Sequence, residues 1–230
     1  VNLDDGYAFG VDFSITLNGN GGVGGSIKYN MINGRDANRT AFTACTRPGY
    51  TCTGYYIPGT NTKIVDADGN ITQAVDGYTN YDTDYYRWNT LTNTTLEAHW
   101  SANTYTVSFN ASANGGSGGQ SANVTATYGA AMPAISTTAP VKTGYSFTGW
   151  YDAHTGGTRY YTFTGASARN YDKTSNTTLY AQFAVNTYTI SFNANGGSGG
   201  QTASLSVTYG SALPAVSTTP PTRSGYIFNG

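Results

Sequence analysis

Charge is scarce in this chain. Only 10% of its 230 residues are Asp, Glu, Lys or Arg, and Glu97 is the only glutamate. With a formal net charge of −1 and no basic block or stripe, it lacks the electrostatic footprint of a nucleic-acid binder. No apolar run approaches the roughly 18 residues that span a bilayer, so the segment is not expected to cross a membrane. The segment from Val1 onward contains no signal peptide, which says little, since an abrupt start at Val1 suits a mature or trimmed segment. Sustained apolar positions at helical spacing are missing too, which argues against a helical core. Cysteine is down to two residues.

Glycine (30 residues), tyrosine (20) and threonine fill the gap, a mixture that favours strands and tight turns. The expected class is therefore β-dominated. Asn, Thr, Ser and Tyr carry the polarity, as on many secreted and cell-surface proteins. Six Asn-X-Ser/Thr sequons (Asn38, Asn70, Asn93, Asn110, Asn123, Asn176) arise easily by chance in so Asn/Thr-rich a chain.

Repetition is the strongest signal. NTYTVSFN at 103–110 returns as NTYTISFN at 186–193, a register of 83 residues and hence that of a small domain. Within 103–183, Tyr105, Val107 and Phe109 alternate with polar residues, the pattern of a strand with one buried face. NGGSGG from Asn114 reads as a flexible turn, and Val124, Ala126 and Tyr128 as a second strand. The connection Ala130–Pro140 has room for one short helix or 3₁₀ turn. Tyr145, Phe147 and Trp150 form the expected core block, and Leu179, Ala181 and Phe183 the closing strand.

A divergent copy precedes it, with Phe13, Ile15 and Leu17 as first strand. Its PGYTCTGYY and TNTTLEAHW match TGYSFTGWY and SNTTLYAQF. The expected division is a leader, or the end of a preceding module, at 1–10, then repeat 1 at 11–101 with an insertion near 58–88. Repeat 2 follows at 102–184 and an incomplete repeat 3 at 185–230. Near-absent linkers imply a semi-rigid rod. Repeat 3 lacks a closing strand, so either the chain continues beyond Gly230 or another subunit supplies the strand.

These blocks resemble the Listeria–Bacteroides repeat, the B-repeat family of internalin-type bacterial surface proteins. The resemblance rests on Tyr105–Gly116, Tyr128–Gly129, Gly144–Tyr151 and Thr178–Phe183. It implies an extracellular, multi-copy protein of tandem β-grasp (ubiquitin-like) modules, α+β in class, with first and last strands parallel. Copy one departs from the pattern at Cys52, at Tyr55 and in its insertion.

Candidate chemistry is sparse. Cys45 and Cys52 flank the turn at Pro48 and Gly49, and an extracellular hairpin would bring their Cα atoms within the roughly 4.4–6.8 Å that a disulfide needs. The alternative is two buried free thiols. GxGxxG at Gly19–Gly24 precedes a strand, not the helix that would hold a pyrophosphate, and reads as a turn. GxSxG at Gly115–Gly119 lacks the strand-to-helix bend of a nucleophile elbow. Asp66, Asp68 and Asn70 follow EF-hand spacing, but Ile71 occupies the glycine position and no Glu closes the loop; a type I′ turn at Asp68-Gly69 competes with calcium. Glu97 and His99, about 7 Å apart along one strand face, read as solvated surface. His154 falls in a polar turn. Neither a catalytic residue nor a cofactor is expected.

Tyr7, Tyr78, Tyr81, Tyr85, Tyr86, Trp88, Tyr160, Tyr161 and Tyr171 exceed what three small cores require. They either pack sheets and module contacts or form a sugar-stacking strip. Tyr78, Tyr81, Tyr85, Tyr86 and Trp88 are the best candidates for a partner surface. The expected function is a non-enzymatic stalk, adhesin or fibre segment at the cell surface. Expected partners are neighbouring repeats, identical subunits, or host or cell-surface glycans and proteins. The alternatives are a lectin-like module and a filament subunit completed by strand exchange.

Overall fold

The computed structural model describes residues 13–24, 28–32, 35–38, 43–82, 85–90 and 92–230. It is β-dominated: among the described residues the only helical element is a 3₁₀ turn at Ser112–Asn114. The chain divides into two compact units. The first holds 1–105 with 127–129 and 172–174, and the second holds the rest.

In the first unit, β1 (Phe13–Asn18), β2 (Lys28–Ile32), β3 (Arg35–Asn38), β4 (Tyr50–Tyr56) and β5 (Lys63–Val65) precede the hairpin of β6 (Thr79–Asp82) and β7 (Tyr85–Trp88). The closing strand β8 (Thr94–Ala102) enters the middle of a six-stranded sheet ordered β3-β2-β1-β8-β4-β5. β8 runs parallel to β1, with Leu17 opposite Leu96, and antiparallel to β4. Ile15, Leu17, Tyr55, Ile64, Val65, Trp88, Leu96 and Ala98 are buried in one core.

The next sheet joins β9 (Thr104–Asn110), β10 (Val124–Thr127), β11 (Tyr145–Tyr151), β12 (Arg159–Thr162) and β13 (Thr177–Val185) in the order β10-β9-β13-β11-β12. β13 again runs parallel to the first strand and antiparallel to the core-block strand. Ile15 faces Thr94 as Val107 faces Thr177, so the two parallel registers agree residue for residue. Alternation carries the burial: Val107, Ala126, Leu179 and Ala181 are wholly buried, and Trp150 nearly so. Phe109 meets the Trp150 indole edge-on at 5.0 Å, and Phe147 bridges Trp150 and Phe183.

Two local expectations need correction. NGGSGG is pinned and not a loose turn: Asn114 closes the 3₁₀ turn, its Nδ2 donates to the carbonyls of His154 and Ala181, and Ser117 bridges Val141. Conversely, 130–140 forms no helix. Ser167 Oγ and Gln120 Oε1 accept the amides of Met132 and Ser136, so side chains replace the helical hydrogen bonds.

The T-G-W/Y core block has a backbone cause. β11 slips register between Phe147 and Gly149, and β4 does so between Cys52 and Gly54. Gly149 (φ 141°) and Gly54 (φ 123°) take the bulge, where a Cβ would strike the carbonyl oxygens of Tyr161 and Val65. The bulged threonines, Thr148 and Thr53, donate across to the carbonyls of Gln182 and His99.

The last residues form β14 (Thr187–Ile190) paired with β16 (Leu205–Thr208), and β15 (Ser198–Gly199) paired with β17 (Pro221–Thr222). Val207 is buried, whereas Tyr226, Ile227 and Phe228 are exposed.

Gly149→Ala should cost about 1–3 kcal/mol, the scale of one strained residue held in place by its surroundings. Chemical denaturation should show a lowered midpoint, and amide exchange should place the loss in β11–β13.

Candidate functional site

The two cysteines come together. Cys45 precedes the turn and Cys52 lies on β4; their Cα atoms are 6.1 Å apart and their sulfurs are bonded. Cys45 is 7% exposed and Cys52 packs against the first core, so the bridge is tied into it. It closes a loop holding Arg47, whose guanidinium lies 4.2 Å from the Tyr50 ring centre.

The aromatic candidates separate. Trp88 is 5% exposed and belongs to the first core, and Tyr78 packs against that core half-buried. Trp88 therefore offers no free stacking face. Tyr81 and Tyr86 face each other across the β6–β7 hairpin, ring centres 5.0 Å apart at 61°, and stand 59% and 37% exposed. Tyr85 ends the same hairpin opposite Asp82, but its side chain, like the whole of Tyr7, lies outside the described residues. Tyr160, Tyr161 and Tyr171 are core residues with no exposure. Their hydroxyls find partners at the rim: Tyr161 donates to Pro133 O, and Tyr171 to Ser175 O. Burial drives the Tyr161 phenol pKa upward, so it remains protonated.

Asp66, Asp68 and Asn70 share one loop but do not form a cage. Asp66 Oδ1 accepts the amides of Asp68 and Asn70 at 2.9 and 2.8 Å, and Asn70 Nδ2 turns toward both carboxylate oxygens. The carboxylate is thus committed to closing its own turn. That turn is not type I′, which needs positive φ at two central residues: here Gly69 alone is positive. Burial pushes the Asp66 pKa up, but the hydrogen bonds from Asn70, Asp68 and Gly69 outweigh it and hold the group below the usual carboxylate range.

GxGxxG is a turn closed by Gly22 N donating to Gly19 O. Asn20 Nδ2 donates to Ala98 O as Asn114 does to Ala181 O, so the motif copies a structural asparagine. His99 lies flat on Tyr56, rings 4.0 Å apart, and His154 leans on Tyr180 at the same distance. Both imidazoles cover tyrosines. Sequence reading missed a different cluster, centred on Asn103 and Asn186. Its signal was available in the NTY that opens both copies of the repeated strand.

Two outcomes follow. Thiol titration should find no reactive cysteine until reductant is added, and replacing both cysteines by Ala should destabilise the first unit by about 2–3 kcal/mol, the chain-entropy value for so short a loop. Because folding depresses the Asp66 pKa, its stabilisation is complete above the unfolded value of about 3.9 and disappears as pH falls through the folded value. Wild type and Asp66→Ala should therefore differ by a constant amount at neutral pH and converge in acid-dependent denaturation.

A family model described as the Listeria-Bacteroides repeat domain matches residues 105–182 and 188–230. Internalin H of Listeria monocytogenes is 43% identical over 93 residues, covering 40% of this chain and 15% of that protein. Two proteins of Evansella cellulosilytica also match. A putative membrane protein is 38% identical over 136 residues (59% of this chain, 18% of the other), and a putative Gly-rich membrane protein is 33% identical over 178 residues (77% and 19%). The chain spans less than a fifth of each of these relatives. With more than half of its length matched by the family model, the chain belongs to the Listeria-Bacteroides repeat family.

Proposed function

We propose that the chain is a stalk segment of a bacterial extracellular surface protein, built from tandem β-grasp-like modules near 11–101, 102–184 and 185–230. The observation that carries this reading is the repeated insertion of a closing strand parallel to a first strand, in one register, at β1–β8 and β9–β13. A chain that spends its apolar residues twice on the same sheet gains length, with each copy adding its own span. The matched relatives support the setting: one is an internalin and two are described as putative membrane proteins. Nearly linkerless module junctions favour a stiff rod over a string of beads.

A sugar- or protein-binding role at the β6–β7 hairpin is the second reading. It is favoured by the exposed Tyr81–Tyr86 pair, which sits in the insertion and has two apolar ring faces near each other.

Small-angle scattering of the whole chain should give a rod-like profile independent of concentration. A compact, globular profile overturns the stalk, and growth with concentration indicates a filament instead. On a glycan array the stalk reading expects no binding. Binding that vanishes in Tyr81→Ala and Tyr86→Ala establishes the second reading.

A further inference from the structure

Asn186 lies between the two segments matched by the family model and gathers groups from both sides. Its amide donates to Gly144 O and its carbonyl accepts from Tyr209 N, each at 2.9 Å. Ser146 Oγ donates to its Oδ1 at 2.6 Å, and its Nδ2 points to the Tyr188 hydroxyl at 3.4 Å. The Tyr209 ring covers Gly144 so closely that a Cβ there would enter the ring, and it meets Tyr145 edge-on at 6.1 Å. Gly144 has φ 79°, so glycine answers both the backbone and the ring.

The arrangement occurs a second time. Within the first unit, Asn103 N donates to Gly49 O and Tyr128 N to Asn103 O, again at 2.9 Å. Thr51 Oγ1 takes the place of Ser146 at 2.6 Å, and Tyr105 OH that of Tyr188 OH at 3.4 Å. Tyr128 covers Gly49 and meets Tyr50 at 5.4 Å. A cation lies over the turn's tyrosine in both, Arg47 over Tyr50 and Lys142 over Tyr145.

We propose that this asparagine-centred clasp is the surface by which one repeat docks the next. The Gly-Tyr-Ser/Thr turn is the receptor, and the Asn-Thr-Tyr start with the Tyr-Gly strand end is the insert. Its partner chemistry is specific: a bare glycine to take a tyrosine ring, and a hydroxyl to hold the asparagine amide. The spread of bonds matters energetically, since the Ser146 hydroxyl in one repeat restrains the backbone that begins β14. The clasp rests on the repeat organisation and not on the stalk reading, so each can fail without the other.

Amide exchange on the whole chain tests it, using Ser146→Ala, Asn186→Ala and the double variant. Ser146 is exposed, so its removal leaves the core of its own repeat alone. Loss of one hydrogen bond should speed exchange across β14 and β16 about fivefold, with β11 and β13 unchanged. The double variant should be no faster than the faster single variant, because both remove the same bond. Ser146→Thr, which copies Thr51, should restore wild-type rates. Unchanged rates in β14 and β16 overturn the clasp, as do single effects that multiply. Acceleration that also reaches β11 and β13 overturns it too, since that marks general destabilisation.

Discussion

The two larger sheets depend on the parallel pairing of the first strand with the closing one. Leu17 meets Leu96 and Phe109 meets Leu179, partners 79 (96 − 17) and 70 (179 − 109) positions apart in the chain. Parallel pairing requires a crossover connection, and here the crossover contains the core-block strand itself. The central strand of each sheet is thus contributed late, between elements already laid down. Such a sheet closes only when distant segments meet, which makes loop-closure entropy the main opponent of folding. The burial of Leu96 and Ala98, and of Leu179 and Ala181, is what opposes it.

Tyrosine solves a problem set by the modest size of these cores. Tyr160 and Tyr161 are neighbours on β12 and both are buried, so alternation alone does not account for them. The Tyr161 and Tyr171 hydroxyls reach carbonyls of Pro133 and Ser175, securing irregular chain at the sheet's margin. A ring fills volume while its hydroxyl satisfies backbone that lacks secondary structure. The connection 130–140 is held in this way, by tyrosine and by side-chain acceptors, where a helix would have satisfied its own amides.

The strands β9, β10 and β13 were legible because period-two alternation is a direct print of the pleat, and Val107, Ala126 and Leu179 fell where it put them; β12 was not read, and Trp150 stands off the alternation of Tyr145 and Phe147. The bulge at Gly149 was not legible either, since a bulge is set by pairing with β12 and β13 and leaves only a glycine behind. NGGSGG read as loose because composition records conformational freedom and not the Asn114 amide bonds that remove it. Of the site candidates, Cys45 and Cys52 were legible by spacing. Trp88 was not, because its burial depends on where a hairpin folds back, and the sequence of an insertion carries no repeat against which to judge it.

The bridge between Cys45 and Cys52 acquires a meaning from comparison within the chain. Cys52 stands where Phe147 stands, and Cys45 where Pro140 stands. Phe147 is anchored by rings on both sides, Trp150 and Phe183, each contact worth about 0.5–1.5 kcal/mol. Cys52 has no such bulk, so its loop would otherwise be held less firmly, and a covalent closure worth about 2–3 kcal/mol is of the right size to replace the pair. What that loop presents is Gly49, Tyr50 and Thr51, the groups that meet Tyr128 and Asn103. Aromatic packing and a disulfide are therefore two ways to hold one turn still, and the turn that both restrain is the one that receives the asparagine.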